Sequence, residues 1–258
     1  MPLNILILGG SSEASVLAAR LKDDARFAAT MSLAGRTATP TASPLPRRLG
    51  GFGGAEGLAA YLEAEQVEAL VVAVHPFAAQ MRRNAAQAVH LRPTPLLIVD
   101  RPAWTPVAGD RWALVSDMSA AATALGAAPR RVLLTVGRQD LAPFAAADHH
   151  AYLVRSIDPP EASPADAELI LARGPFSEAD ERRLMVERGV EVLVTKNAGG
   201  GATEAKLVVA RALGLEVVMV ERPPLPDLTG LDAQIVTGAE AALTWLAHQA
   251  SSATERGV

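Results

Sequence analysis

The 258-residue chain contains no cysteine. Disulfides, thiolate catalysis and cysteine-bound metal are therefore excluded, and any redox chemistry has to be carried by a bound cofactor. Lysine is nearly absent: of 24 basic residues only Lys22, Lys196 and Lys206 are lysines. No window approaches the ~18 unbroken apolar residues of a membrane span. The start, Met1-Pro2-Leu3-Asn4, enters a strand directly instead of offering the basic segment of a signal peptide, so a cytoplasmic location is expected. A net charge of −4 gives no general attraction to nucleic acid or to a membrane surface, and an anionic ligand would need a local basic pocket. Paired carboxylates, a His-x-x-x-His spacing and a Gly-x-Ser-x-Gly elbow are all missing. His149-His150 beside Asp148 reads as a solvated pair, and no metal is expected.

What is present is a large apolar fraction, 50% of residues, with 20% charged, enough for a substantial core. Apolar runs alternate with helical patterns from end to end, which predicts α/β folding with parallel or mostly parallel sheets. The length favours two domains. Prolines and glycine between Arg101 and Asp110 break the pattern, giving an N-terminal domain over residues 1–100 and a C-terminal one over 101–258. The expected architecture is two Rossmann-like open sheets facing each other across a cleft.

The most informative stretch runs Val194-Thr195-Lys196-Asn197-Ala198-Gly199-Gly200-Gly201-Ala202-Thr203-Glu204-Ala205-Lys206. It joins an apolar strand, Val190 to Val194, to a helix through Leu207 and Leu213. Gly199, Gly200 and Gly201 let the backbone approach a ligand closely and leave helix N–H groups for an anion. A second turn of this kind, Gly9-Gly10-Ser11-Ser12, follows the first strand, Leu3 to Leu8. The full dinucleotide fingerprint is absent there, because Ser11 stands where the middle glycine belongs. Ser11 or Ser12 can cap the following helix, with Glu13 supporting its positive end.

The second strand, Ala28 to Leu33, ends near Ser32, Arg36 and Thr37 with no carboxylate to hold an adenosine ribose, so a dinucleotide bound here should be NADP. A further strand, Ala69 to Val74, delivers His75 to the carboxyl edge of the sheet just before Pro76, which leads into a helix expected over Ala79 to His90. Two facing α/β domains would also suit a nucleotide-sugar transferase or a non-enzymatic small-molecule binding protein.

The order of these motifs resembles that of the precorrin-6A reductases and their cobalt-precorrin counterparts. The resemblance is carried by Ile7-Leu8-Gly9-Gly10-Ser11-Ser12-Glu13-Ala14, Ser32-Leu33-Ala34-Gly35-Arg36, His75-Pro76-Phe77-Ala78 with Asn84, and Arg101-Pro102-Ala103-Trp104. It continues through Leu134-Thr135-Val136-Gly137 with Leu141 and Phe144, Gly174-Pro175-Phe176-Ser177, and Val194 to Gly200 with Glu204 and Lys206. Val72-Ala73-Val74 stands where the family usually has Asp-Ala-Thr, and Ala198-Gly199 where it has Ser-Gly.

The resemblance implies NADPH-dependent reduction of the C18–C19 double bond of precorrin-6A to precorrin-6B in cobalamin biosynthesis, with a proton added at the neighbouring carbon. The substrate would be a polycarboxylate tetrapyrrole, with hand-over to other corrin-pathway enzymes. Arg82, Arg83, Arg101 and Arg138 are candidate carboxylate clamps. On this reading Gly9 to Ser12 hold the pyrophosphate, and Ser32, Arg36 and Thr37 select the 2′-phosphate. Lys196 to Gly201 close over the nicotinamide or a substrate carboxylate, and Lys196 or His75 supplies the proton.

Overall fold

The structure is a computed structural model that describes residues 1–35 and 42–256. It divides into two compact units, Met1–Pro102 with Pro223–Val258, and Ala103–Arg222.

The first unit contains β1 (Leu3–Leu8), α1 (Ser12–Leu21), β2 (Phe27–Leu33), β3 (Arg47–Leu49), α2 (Ala55–Ala64), β4 (Ala69–Val72), α3 (Ala79–Leu91) and β5 (Leu96–Asp100). The second contains β6 (Trp112–Val115), α4 (Met118–Ala124), β7 (Arg131–Thr135), α5 (Ala142–Ala145), β8 (Ala151–Ser156), β9 (Glu168–Leu171), α6 (Glu178–Glu187), β10 (Val192–Lys196), α7 (Ala205–Leu213) and β11 (Glu216–Val220). The chain then returns to the first unit with β12 (Ala233–Thr237) and α8 (Gly238–Arg256).

Both sheets have six strands in parallel register, ordered β12-β5-β4-β1-β2-β3 and β6-β11-β10-β7-β8-β9. Each therefore runs outward in both directions from a central pair, β1 beside β4 and β7 beside β10. At those pairs the strand order reverses, and open α/β sheets bind ligands in the crevice beyond the carboxyl ends there. In each sheet one edge strand pairs with a neighbour far away in the chain, β12 with β5 and β6 with β11.

The central strands read as unbroken apolar runs because helices cover both of their faces. In the first unit Ile5, Ile7 and Val71 pack under α1 and α8 through Leu17, Leu21, Ala242 and Leu246. The alternate residues Leu6, Leu70 and Val72 pack under α2 and α3 through Leu58, Leu62 and Val89. In α1 the buried positions Ala14, Leu17, Ala18 and Leu21 recur at helical spacing, so one stripe of the helix is enough to dock it. Each fully buried leucine contributes about 1.5–3 kcal/mol. In the second unit Leu133, Leu193 and Met219 pack with Met185 of α6 and Leu207 of α7.

The expected boundary after residue 100 lies two residues from the observed one, but the C-terminal part is divided differently. Residues 223–258 belong to the first unit, where β12 pairs with β5 from Ala233↔Leu96 to Thr237↔Asp100. Sequence order cannot reveal this, because sheet membership is set by pairing over more than 130 residues. The helix expected over Ala79 to His90 is α3, Ala79–Leu91, with Ala78 as its uncapped lead-in.

Candidate functional site

Candidate residues gather at the carboxyl ends of the central strands in each unit. In the first unit β1 delivers the turn Gly9-Gly10-Ser11-Ser12. A Cβ at Gly9 would run into Sδ of buried Met31 on the neighbouring β2, which would have to shift. The Gly9 N–H donates to the Ser32 carbonyl at 2.9 Å, which seats the turn against β2, and Ser32 is buried beneath it.

Ser11 is the helix cap. Its hydroxyl accepts from the Ala14 N–H at 3.1 Å and donates to the Ala73 carbonyl at 2.7 Å, stapling the turn to the end of β4. That hydroxyl is therefore occupied structurally, and what the turn offers an anion is its backbone. Among the described residues no acceptor meets the N–H groups of Gly10, Ser11 or Ser12. They sit at the positive end of α1, an arrangement suited to a pyrophosphate. Glu13 does not face an anion bare, since Arg101 bonds its carboxylate at 3.2 Å and also reaches the Ser12 hydroxyl at 3.2 Å.

His75 lies half-buried just past β4, the strand whose Ala73 carbonyl holds Ser11. Its Nδ1 accepts from the Phe77 N–H at 3.2 Å, so the neutral ring carries its proton on Nε2. Arg36 and Thr37 lie outside the described residues.

In the second unit β10 ends in Lys196, whose ammonium donates to the Asp140 carboxylate at 2.6 Å. Asp140 stands in the turn after β7, closed by its own N–H to the Gly137 carbonyl at 3.1 Å. Lys196 and Asp140 thus meet at the central crevice of this sheet. Beyond Lys196 the chain passes through Asn197 and Ala198 to Gly199 and Gly200, both with positive φ, of 67° and 75°. A short 3₁₀ turn, Gly201–Thr203, then leads into α7. The structure places Lys196 and Gly199–Gly201 in the second unit, and in the first it seats Gly9–Ser12 on Ser32 and on Ala73, two residues before His75.

The loop after Lys196 is held by residues that the sequence does not single out. The Trp104 N–H donates to Asn197 Oδ1 at 2.8 Å, Asn197 Nδ2 donates to the Trp104 carbonyl at 3.0 Å, and Trp104 Nε1 donates to the Gly200 carbonyl at 3.1 Å. Arg222 donates through Nε to the Asn197 carbonyl and through Nη2 to that of Ala198, each at 2.8 Å. Trp104 and Asn197 stand inside quoted motifs, but nothing local announces that they bind each other across 93 residues. Lys206 is buried, with its Nζ 5.4 Å from the Trp104 ring centroid.

Two expectations about charged groups are overturned. Arg82 is 3% exposed and bonds Asp100 at 2.8 Å, so it is part of the first unit's interior and not a carboxylate clamp. His150 is buried, not solvated, with its ring centroid 4.0 Å from that of His149. Among the described residues no three His, Asp or Glu side chains converge as a metal site, and no helix is long and apolar enough to cross a membrane.

Comparison with known proteins gives a consistent picture. The family model for precorrin-6x reductase CbiJ/CobK matches residues 4–247. A precorrin-6A reductase from Rhodococcus erythropolis is 49% identical over 243 residues, covering 94% of this chain and 96% of its own. One from Sinorhizobium sp is 47% identical over 246 residues, covering 95% and 92%. A solved CobK precorrin-6A reductase superposes with a TM-score of 0.88 at 44% identity, over 96% of this chain and 97% of that one.

Proposed function

The chain belongs to the precorrin-6x reductase family and acts in the reduction of precorrin-6A in cobalamin biosynthesis, and from that premise we propose that NADPH is its reductant and precorrin-6B its product. The observation that carries the cofactor assignment is the turn at the central crevice of the first sheet. Three backbone N–H groups without an acceptor among the described residues stand there at a capped helix start, beside a glycine whose Cβ would displace buried Met31.

The turn Gly9-Gly10-Ser11-Ser12 holds the pyrophosphate through the N–H groups of Gly10, Ser11 and Ser12, with Gly9 seating the turn on β2. The end of β2 supplies no carboxylate, and Ser32, Arg36 and Thr37 select the 2′-phosphate. When bound, NADPH supplies the hydride for the C18–C19 bond. The protein's contribution is chiefly positioning, which is worth up to roughly 7–11 kcal/mol in well-oriented reactions. Lys196 and His75 carry transferable protons at the ends of β10 and β4, and either can serve the neighbouring carbon or neutralise a substrate carboxylate. The substrate's many carboxylates require local cations in a chain of net charge −4. Of the four arginines named for that task Arg82 is buried against Asp100, which leaves Arg83, Arg101 and Arg138.

Ser12→Asp tests the pyrophosphate assignment. A carboxylate in the first turn suits the helix dipole and preserves the fold, but it repels a phosphate. The NADPH KM should rise by about tenfold or more with the thermal midpoint retained, as expected when a charged contact worth over ~1.4 kcal/mol is lost. An unchanged KM would place the cofactor elsewhere.

A further inference from the structure

The loop from Lys196 to Gly201 owes its shape to two residues at the places where the chain passes between units. Trp104 is the second residue after the first crossing, Pro102 to Ala103, and Arg222 is the last before the second, Arg222 to Pro223. Both direct side-chain donors at carbonyls of this loop: Trp104 Nε1 at Gly200, Arg222 Nε at Asn197 and Arg222 Nη2 at Ala198.

A trans peptide is planar, so the N–H of each residue points opposite to the carbonyl before it. Drawing the Ala198 carbonyl toward Arg222 turns the Gly199 N–H away from Arg222. Drawing the Gly200 carbonyl toward Trp104 does the same for Gly201. Among the described residues neither of these two N–H groups meets an acceptor. The positive φ of 75° at Gly200, with ψ at 159°, is a backbone state that only glycine adopts at little cost, so the tether and the residue type agree.

We infer that Trp104 and Arg222 are positioning residues for the reduction, presetting the Gly199 and Gly201 N–H groups to receive an oxyanion of the bound reactants. The inference rests on the proposed role of the Lys196–Gly201 loop and adds the means by which that loop is kept ready. The oxyanion is a phosphate of the dinucleotide or a carboxylate of the macrocycle. Preset donors need no reorganisation when the anion arrives, which is the physical advantage of such a tether. Arginine suits the task because its planar fork reaches two successive carbonyls at once, which an ammonium does not.

Trp104→Phe removes the indole donor while keeping a ring and the main-chain bonds to Asn197; Arg222→Lys keeps the charge and loses the fork. Steady-state kinetics with NADPH and precorrin-6A varied in turn should show kcat/KM falling by roughly ten- to a hundredfold in each variant, the scale of the loss for about 1 Å of misplacement, with thermal midpoints near that of the wild type. A rise confined to the NADPH KM identifies the phosphate, and one confined to the precorrin-6A KM identifies the carboxylate.

Lys196→Ala, measured alongside, separates the two levels of the claim. If it loses turnover while Trp104→Phe and Arg222→Lys stay within about twofold of wild type, the loop belongs to the site and the tether is not needed, which overturns this inference alone. If all three remain normal, the loop's role and the inference fall together. In the unaltered protein the Gly199 and Gly201 amide resonances should shift on addition of NADPH or precorrin-6A, and no shift with either overturns the inference without recourse to a variant.

Discussion

Lys196 Nζ lies 2.6 Å from Asp140 Oδ2, bridging the ends of β10 and β7 where the second sheet's strand order reverses. The pair is partly exposed, at 16% and 33% for the two side chains, so it contributes little to stability, about 1 kcal/mol or less. Its importance lies in where it holds the ammonium.

Asp140→Asn should therefore lower kcat by about tenfold or more, because an ammonium displaced by an ångström loses registration with its target, while the thermal midpoint barely moves. In a Lys196→Ala background the same substitution should have no further effect. Wild-type turnover in Asp140→Asn would show that Lys196 needs no partner.

Arg36→Glu, shortly after β2 in the chain, should raise the NADPH KM by roughly tenfold or more and erode the preference over NADH, since a carboxylate there suits a ribose hydroxyl and repels a 2′-phosphate. Ratios of kcat/KM for the two cofactors report it, and an unchanged ratio refutes the assignment.

His150 is buried with neither ring nitrogen hydrogen-bonded among the described residues. Burial first, and then the neighbouring His149, holds its pKa below the ordinary 6.5. The unfolded chain then takes up a proton that the folded one resists, so this residue lowers stability as the pH falls from neutrality through 6.5. His150→Phe should lose less stability than wild type between about pH 7.5 and 5.5, as read by urea denaturation at each pH. Parallel losses in the two proteins would show that His150 titrates in the fold as it does in the unfolded chain.

Lys206 behaves in the same way at higher pH. Burial first, then the Arg155 charge, brings it from 10.5 down to about 7, with Glu181 pulling the other way. Between those values the unfolded chain is protonated and the folded one is not, so stability rises with pH across that window and the penalty is complete below about 7. Lys206→Met should be more stable than wild type at neutral pH, by on the order of a few kcal/mol. The difference should close toward the alkaline end of the window. A pH-independent difference would contradict a neutral buried amine.

Much of this fold is legible in the sequence because its signals are local. Strands such as Leu3–Leu8 and Leu96–Asp100 are apolar runs that stop at a glycine turn or an Asp-Arg-Pro break, so their bounds can be read to within a residue or two. β12 escapes such a reading because it is an edge strand: Ala233–Thr237 alternates only weakly, and Ile235 is exposed. Its pairing with β5, and so the membership of residues 223–258 in the first unit, is a non-local fact that no window of sequence contains.

The site divides along the same line. Gly9, Ser11, Lys196 and the Gly199–Gly201 run are candidates on a local signal, a glycine turn at the end of a strand. Asp140, Trp104 and Arg222 cannot, because each acts through a bond to a residue far away in the chain: Asp140 to Lys196, Trp104 to Gly200, and Arg222 to Ala198. Arg82 shows the opposite failure. A strand-end neighbourhood suggests a ligand cation, and the fold commits it to Asp100.

The most direct test is to incubate the purified protein anaerobically with precorrin-6A and NADPH and to follow the macrocycle and nicotinamide absorbances together. The account predicts that both change, in step and in equal molar amounts, and that NADH substitutes poorly. NADPH left unoxidised beside an unchanged macrocycle would contradict it.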